Sequence, residues 1–146
     1  MMMGRTWDIP YPILIGDEMD ARKVNIEIDG VVSSAFFECD KRIIAMKVTM
    51  PDGVVKKYTG VDYYVCLGEV RKDFPNVRFL CKGAKINVYP SRMCSQMAGG
   101  IVAYEVRWGE PADDSDIVNI FDYEDQNLTN DIDEQADYYE RWMSSL

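Results

Sequence analysis

The sequence contains no histidine. That removes the commonest general base and the partner on which most cysteine and serine nucleophiles depend. A C-x-x-C pair is missing as well. Cys39, Cys66, Cys81 and Cys94 stand 27, 15 and 13 positions apart, each among apolar neighbours (FFECD, YVCLG, FLCKG, RMCSQ). Thiols in such surroundings read as reduced and structural, against the alternatives of two disulfides or a metal site. No catalytic residue, cofactor or metal is expected. Repeats, low-complexity blocks and long linkers are absent, which leaves residues 1–146 as a single domain. No apolar run approaches the roughly 18 residues that a membrane span requires. The amino end, MMMGRTWDIPYPILIGDEMD, offers a five-residue apolar core at PILIG, interrupted by prolines and followed by acids. It is too short for a secretory signal, so the expectation is a cytoplasmic protein.

What is present argues for a packed globule. The 146 residues are 47% hydrophobic and 12% aromatic, enough to bury a sizeable core without staples. Charge is the most informative property. Residues 1–109 hold 15 Lys/Arg and 13 Asp/Glu, a balance of +2, whereas residues 110–146 hold 12 Asp/Glu against Arg141 alone, a balance of −11. Nearly all of the net −9 therefore lies in the last quarter of the chain. Nucleic acid and anionic membranes are repelled by such an end, so neither is an expected partner. The basic pairs Lys41-Arg42, Lys56-Lys57 and Arg71-Lys72 are scattered along the chain and read as solvated.

Periodicity gives the order of elements. KVNIEIDG alternates apolar and polar residues as a half-wet strand does, and VVSSAFFEC reads as a second. RIIAMKVTM and VVKKYTG, joined across Asp52-Gly53, predict a hairpin. From Asp62 the period changes: Tyr63, Cys66, Leu67, Val70 and Phe74 recur at helical spacing, with Asp62 as N-cap and Pro75 as the stop. VRFLCKG and INVY return to strand. In IVAYEVRW the alternation places Val102, Tyr104, Val106 and Trp108 on one face. EPADDSD reads as a solvated acidic loop and IVNIFDY as a short apolar segment that docks on the core. The terminal residues predict an amphipathic helix with a stripe of Leu128, Ile132, Ala136, Tyr139 and Met143, capped by Thr129 or Asn130. The fold class is α+β: a single domain with a largely antiparallel sheet, a central helix, a short helix at 91–98 and a C-terminal amphipathic helix, the acidic 110–146 segment packing on the rest.

The stretch YPSRMCSQMAGG poses the sharpest question of chemistry. Ser91 suits an N-cap, Gly99-Gly100 suits a C-terminus with positive φ, and Cys94 falls in the first turn, where the helix dipole can activate a thiol. One reading is a small enzyme or ligand-binding site using Arg92 and Cys94. The other makes Met93, Cys94 and Met97 the buried face of a connector, and the missing second reactive group favours it.

Around this stretch stand Cys81, Gly83, Val88, Pro90-Ser91, Met93, Met97, Gly99-Gly100 and Ala103-Tyr104, then Val118, Ile120 and Phe121-Asp122. The pattern resembles small bacterial proteins, some of them of the immunity-protein type that neutralises a toxin. The resemblance rests on turn and core residues, supplies no catalytic residue, and implies a bacterial protein that acts by binding another protein. Where those proteins end soon after V-x-I-F-D, this chain adds its acidic segment.

The acids themselves lack the twelve-residue loop of a calcium site. Set among Tyr123, Tyr138, Tyr139 and Trp142, they point instead to a protein partner with a basic surface, such as a toxin domain. The expected partner-binding residues are Asp113, Asp114, Asp116, Asp131, Asp133, Glu134, Asp137, Tyr138 and Trp142: carboxylates to steer, aromatics to anchor. A third reading is a homo-oligomeric structural subunit, self-associating through the terminal helix.

Overall fold

A computed structural model describes residues 19–40 and 42–146. Lys41 and the amino-terminal stretch weighed as a signal lie outside the described residues. The alternating segments form a long first hairpin. β1 (Met19–Ile28) and β2 (Val31–Asp40) pair antiparallel, with Val24, Ile26, Ala35, Phe37 and Cys39 buried on the inner face. Asp29 and Gly30 between them both have positive φ, 51° and 81°, as a two-residue primed turn demands. The hairpin expected at Asp52-Gly53 joins β3 (Ala45–Thr49) to β4 (Val55–Thr59), with the Gly53 N–H donating to Met50 O and Gly53 at φ 91°. With β5 (Arg78–Phe79) these strands make a five-stranded antiparallel sheet, in the order β4-β3-β2-β1-β5.

α1 (Tyr63–Asp73) lies on the inner face and buries Tyr64, Cys66, Leu67 and Val70. Its cap is the expected one: Asp62 accepts from the Val65 N–H at 2.8 Å. Pro75 holds Phe74 out of the helical region, at φ −123° and ψ 67°, and the helix ends there. A second, three-stranded antiparallel sheet contains β6 (Val88–Tyr89), β7 (Val102–Glu105) and β8 (Ile117–Asn119). α2 (Arg92–Ala98) connects β6 to β7, capped by Ser91 and ended by left-handed Gly99. Asp62 also accepts from Ser95 Oγ at 2.5 Å, and so ties α1 to α2. Gly100 has no alternative residue here: its φ is 76°, and a Cβ would meet Asp62 Cγ at 2.8 Å.

Two expectations about these strands change. β7 stops at Glu105: the Val106 N–H still reaches Asn87 O in register, but Val106 O is met by Asn87 Nδ2 of the side chain, and the alternation breaks phase. Ala103 and Val106 are therefore the buried residues, while Trp108 is 55% exposed. In α2 only Cys94 is buried, whereas Met93 and Met97 are 56% and 81% exposed. The connector has one buried residue, not a buried face.

The acidic end is sewn into the body. Ile120 and Phe121 are buried, and the Phe121 ring lies 5.4 Å from Phe37. The Gly83 N–H donates to Ile120 O, and a Cβ at Gly83 would strike Leu67 Cδ2 at 2.5 Å. α3 (Ile132–Ser144) closes the fold, capped by Asp131 and not by Thr129 or Asn130. Those two are engaged elsewhere: Thr129 Oγ1 accepts from the Asp131 N–H and Asn130 Nδ2 donates to Val77 O. The buried line of α3 runs through Gln135 and Trp142, with Ile132 and Tyr139 half-buried and Met143 in solvent. Among the described residues, no helix is long and apolar enough to cross a membrane. The expected α+β fold with its central, short and C-terminal helices is the one observed.

Candidate functional site

Helical geometry distributes the acids of α3. Residues three and four apart share a side, so Asp133, Asp137 and Glu140 line the helix opposite the buried Gln135–Trp142 line, and Glu134 lies beside them. All four are exposed. Asp131 is exposed too, but its carboxylate accepts from the Asp133 N–H and starts the helix. Asp137 pairs with Arg141 at 3.0 Å. Asp131, Asp133, Glu134 and Glu140 form no ion pair among the described residues.

The acidic loop is more ordered than its sequence implied. Asp114–Asp116 form a 3-10 turn with a capping box: Asp113 accepts from the Ser115 N–H, and Asp116 Oδ2 accepts from the Asp113 N–H. Asp113 and Asp114 are exposed. Asp116 is buried, and Arg107 Nη2 pairs with it at 2.9 Å. It therefore departs from the partner-facing set. Because Arg107 also meets the last turns of α3, the loop acids sit near the carboxyl end of that helix and Asp131 at its amino end. Eleven residues at about 1.5 Å each separate Asp131 from Trp142 by roughly 16 Å along the helix axis.

Trp142 departs from the partner-facing set as well. It is 6% exposed, and its indole N–H donates to Arg107 O at 2.9 Å and Glu110 O at 3.0 Å. Its ring ends an aromatic chain that passes through Tyr139 and Tyr89 to Tyr64 on α1. Tyr138 stays at the border of the exposed face, edge-to-face with Trp108 at 6.0 Å. Trp108, which the alternation had assigned to a strand face, is thus the exposed tryptophan beside the acids. The signal for it was the glycine that follows: Gly109 has φ 77° and turns the chain back.

Other acids of the segment are internal. Glu124 sits between two cations, 3.0 Å from Lys82 Nζ and 2.9 Å from Lys85 Nζ, and Glu105 meets the same pair from the other side. Burial by itself raises the Glu124 pKa. The hydrogen bonds from Lys85 and Lys82, with the Gln126 N–H, outweigh burial and bring it down to about 2. A carboxyl lowered by folding stabilises fully above its ordinary 4.5 and loses that contribution as pH falls through about 2. Glu124→Gln is accordingly expected to lower Tm at neutral pH and to flatten the decline of Tm across that acid window. Parallel declines for variant and parent would refute the assignment.

The Arg92–Cys94 turn gathers no reactive pair. Arg92 is exposed and Cys94 is buried; the Cys94 N–H donates to Ser91 Oγ at 3.1 Å and its carbonyl accepts from the Gly100 N–H at 3.0 Å, both bonds that frame the helix. All four cysteines are free and buried, and burial raises the thiol pKa of Cys66 to about 12 and of Cys81 to about 11. A cleft of about 830 Å³ beside α2 is lined by Asp20, Cys39, Ile44, Tyr63, Ser95 and Met97, and burial raises the pKa of both Cys39 and Tyr63. Among the described residues, no three Cys, Asp or Glu side chains gather as metal ligands. Arg71, read as solvated, is fully buried, bonded to Thr129 O, Gly83 O and Gln135 Oε1. No known protein family matches this sequence, and no curated protein does.

Proposed function

We propose that the chain is a non-enzymatic binding protein that presents the outer face of α3 to a basic protein partner, as an immunity or inhibitor protein does to a toxin domain. One observation carries the reading. Four exposed carboxylates, Asp133, Glu134, Asp137 and Glu140, line one side of a helix whose other side is firmly docked. Like charges so placed repel one another and cost stability, while a cationic partner relieves that repulsion and is drawn in by the field. The exposed Trp108, with half-buried Tyr138 against it, supplies apolar area beside them.

The product of the neighbouring gene is the partner to test. It is expected to arrest growth when expressed alone, to be harmless when co-expressed with this chain, and to form a one-to-one complex when purified. The variant Asp131→Asn, Asp133→Asn, Glu134→Gln, Asp137→Asn keeps a capping side chain at 131 and removes four charges. Its association should be slower by about tenfold at low salt, with the gap closing toward about 0.5 M. A harmless neighbour, or one that stays toxic beside this chain, overturns the neutralising role. Equal association rates at low salt overturn the role of this face.

A further inference from the structure

Trp108 is more exposed than its setting requires. The turn that carries it is held by hydrogen bonds at Arg107, Gly109 and Glu110. The Trp142 indole holds the carbonyls of Arg107 and Glu110 on either side, and the Glu110 N–H closes the turn onto Arg107 O at 3.0 Å. The Gly109 N–H donates to Ser145 Oγ at 3.0 Å, and the Arg107 guanidinium is clamped by Glu110 and Asp116. The backbone under Trp108 is thus preorganised, and 55% of the side chain is in water. Large rigid aromatics on a preorganised turn bind partners with little loss of conformational entropy.

The surroundings select the partner. Trp108 and Tyr138 meet at 66°, an edge-to-face contact that does not use the faces of the ring giving its edge. Glu134 stands one helical turn before Tyr138, exposed and outside any ion pair among the described residues, while the exposed Asp137 and Glu110 are shared with Arg141 and Arg107 at 3.0 and 3.3 Å, which leaves the rim net negative. An aromatic face rimmed by carboxylates repels anions and suits a cation. Between the two cationic side chains it suits arginine, whose planar guanidinium stacks on a ring and reaches a carboxylate with its remaining N–H groups; lysine offers a hydrated point charge.

We propose that Trp108 and Tyr138 form an arginine-accepting platform, the anchor at which a basic protein partner docks on the α3 face. The inference rests on the basic-partner reading and adds to it which residues anchor and what they hold. Charge alone would treat all cations alike. A platform discriminates.

The test uses the full chain with two probes of equal charge, a nona-arginine and a nona-lysine peptide, titrated by calorimetry at low salt. The indole N–H resonance of Trp108 reports the site. Nona-arginine is expected to bind about three- to fivefold more tightly and to shift that resonance, the margin of one exposed cation–π contact. Trp108→Ala should abolish the preference and leave a salt-sensitive affinity for both peptides. Trp108→Phe should keep part of the preference, and unchanged Tm for both variants should confirm that they fold. The four-acid variant, which removes two of the three rim carboxylates, should weaken both peptides and narrow the preference without abolishing it. Equal affinities in the parent, or a preference that survives Trp108→Ala, overturn the platform and leave the acidic-face reading standing. Binding of neither peptide overturns both. Self-association of the parent on sedimentation that Trp108→Ala abolishes would assign the platform to a second copy and also overturn the proposal.

Discussion

Trp142→Ala is expected to lower the unfolding free energy by about 3–5 kcal/mol, the range for emptying a large aromatic site in a core that relaxes only in part. Two effects combine. The ring is 94% removed from solvent by its 6% exposure, packed on Tyr139 within the aromatic chain that reaches α1. Its indole N–H is the shared donor for the carbonyls of Arg107 and Glu110. Trp142→Phe separates the two: it keeps most of the apolar ring and removes the donor, at an expected cost of about 1–3 kcal/mol. Urea denaturation followed by far-UV circular dichroism measures both. An exposed anchor would instead leave stability unchanged and shorten the lifetime of a complex. A loss below about 1 kcal/mol for Trp142→Ala would mean the ring does not hold α3 to the body.

The contrast between Trp108 and Trp142 marks where sequence reasoning stops. Local rules were legible wherever a cap, a turn glycine or a proline decides the outcome within a few residues. Asp62 before α1, Ser91 and Gly99 around α2, Pro75 and the Gly53 turn all act through bonds to near neighbours, and all stand where the pattern put them. Burial was legible only where hydrophobicity and periodicity agree. α3 broke that agreement: its central buried residue is Gln135, a polar side chain that no apolar stripe includes, so the expected stripe came out rotated and kept Met143 while omitting Trp142. Which tryptophan faces water depends on carbonyls 32 and 35 residues away. Likewise Asp116 resembles Asp113 and Asp114 in sequence, and only the reach of Arg107 removes it from the surface. The single-sign charge of the segment was plain from composition, but its division into outward and internal acids is a property of tertiary contacts.

Those contacts converge on Arg71 and Gln135, and the second large effect is expected there. The Arg71 guanidinium is fully buried with no carboxylate bonded to it among the described residues; it donates to Thr129 O at 3.2 Å, Gly83 O at 3.3 Å and Gln135 Oε1 at 2.7 Å. Gln135 Nε2 in turn donates to Gly83 O at 2.9 Å and Lys85 O at 2.8 Å. Gln135→Leu removes the shortest of the three acceptors from a buried cation and one donor from each carbonyl, for an expected loss of about 2–4 kcal/mol. Arg71→Met should cost a similar amount through Thr129 O and the lost link between α1 and α3. The double variant decides between two opposing terms. It leaves Gly83 O without either donor, a neutral orphan worth about 1–3 kcal/mol, but it also eliminates the under-satisfied charge, which is the more expensive group to leave buried. The charge wins, so the double loss should fall short of the sum of the singles by about 1–2 kcal/mol in a urea-denaturation cycle. Additivity within about 0.5 kcal/mol would mean that Arg71 does not depend on Gln135, and that α3 is held by its aromatic residues alone.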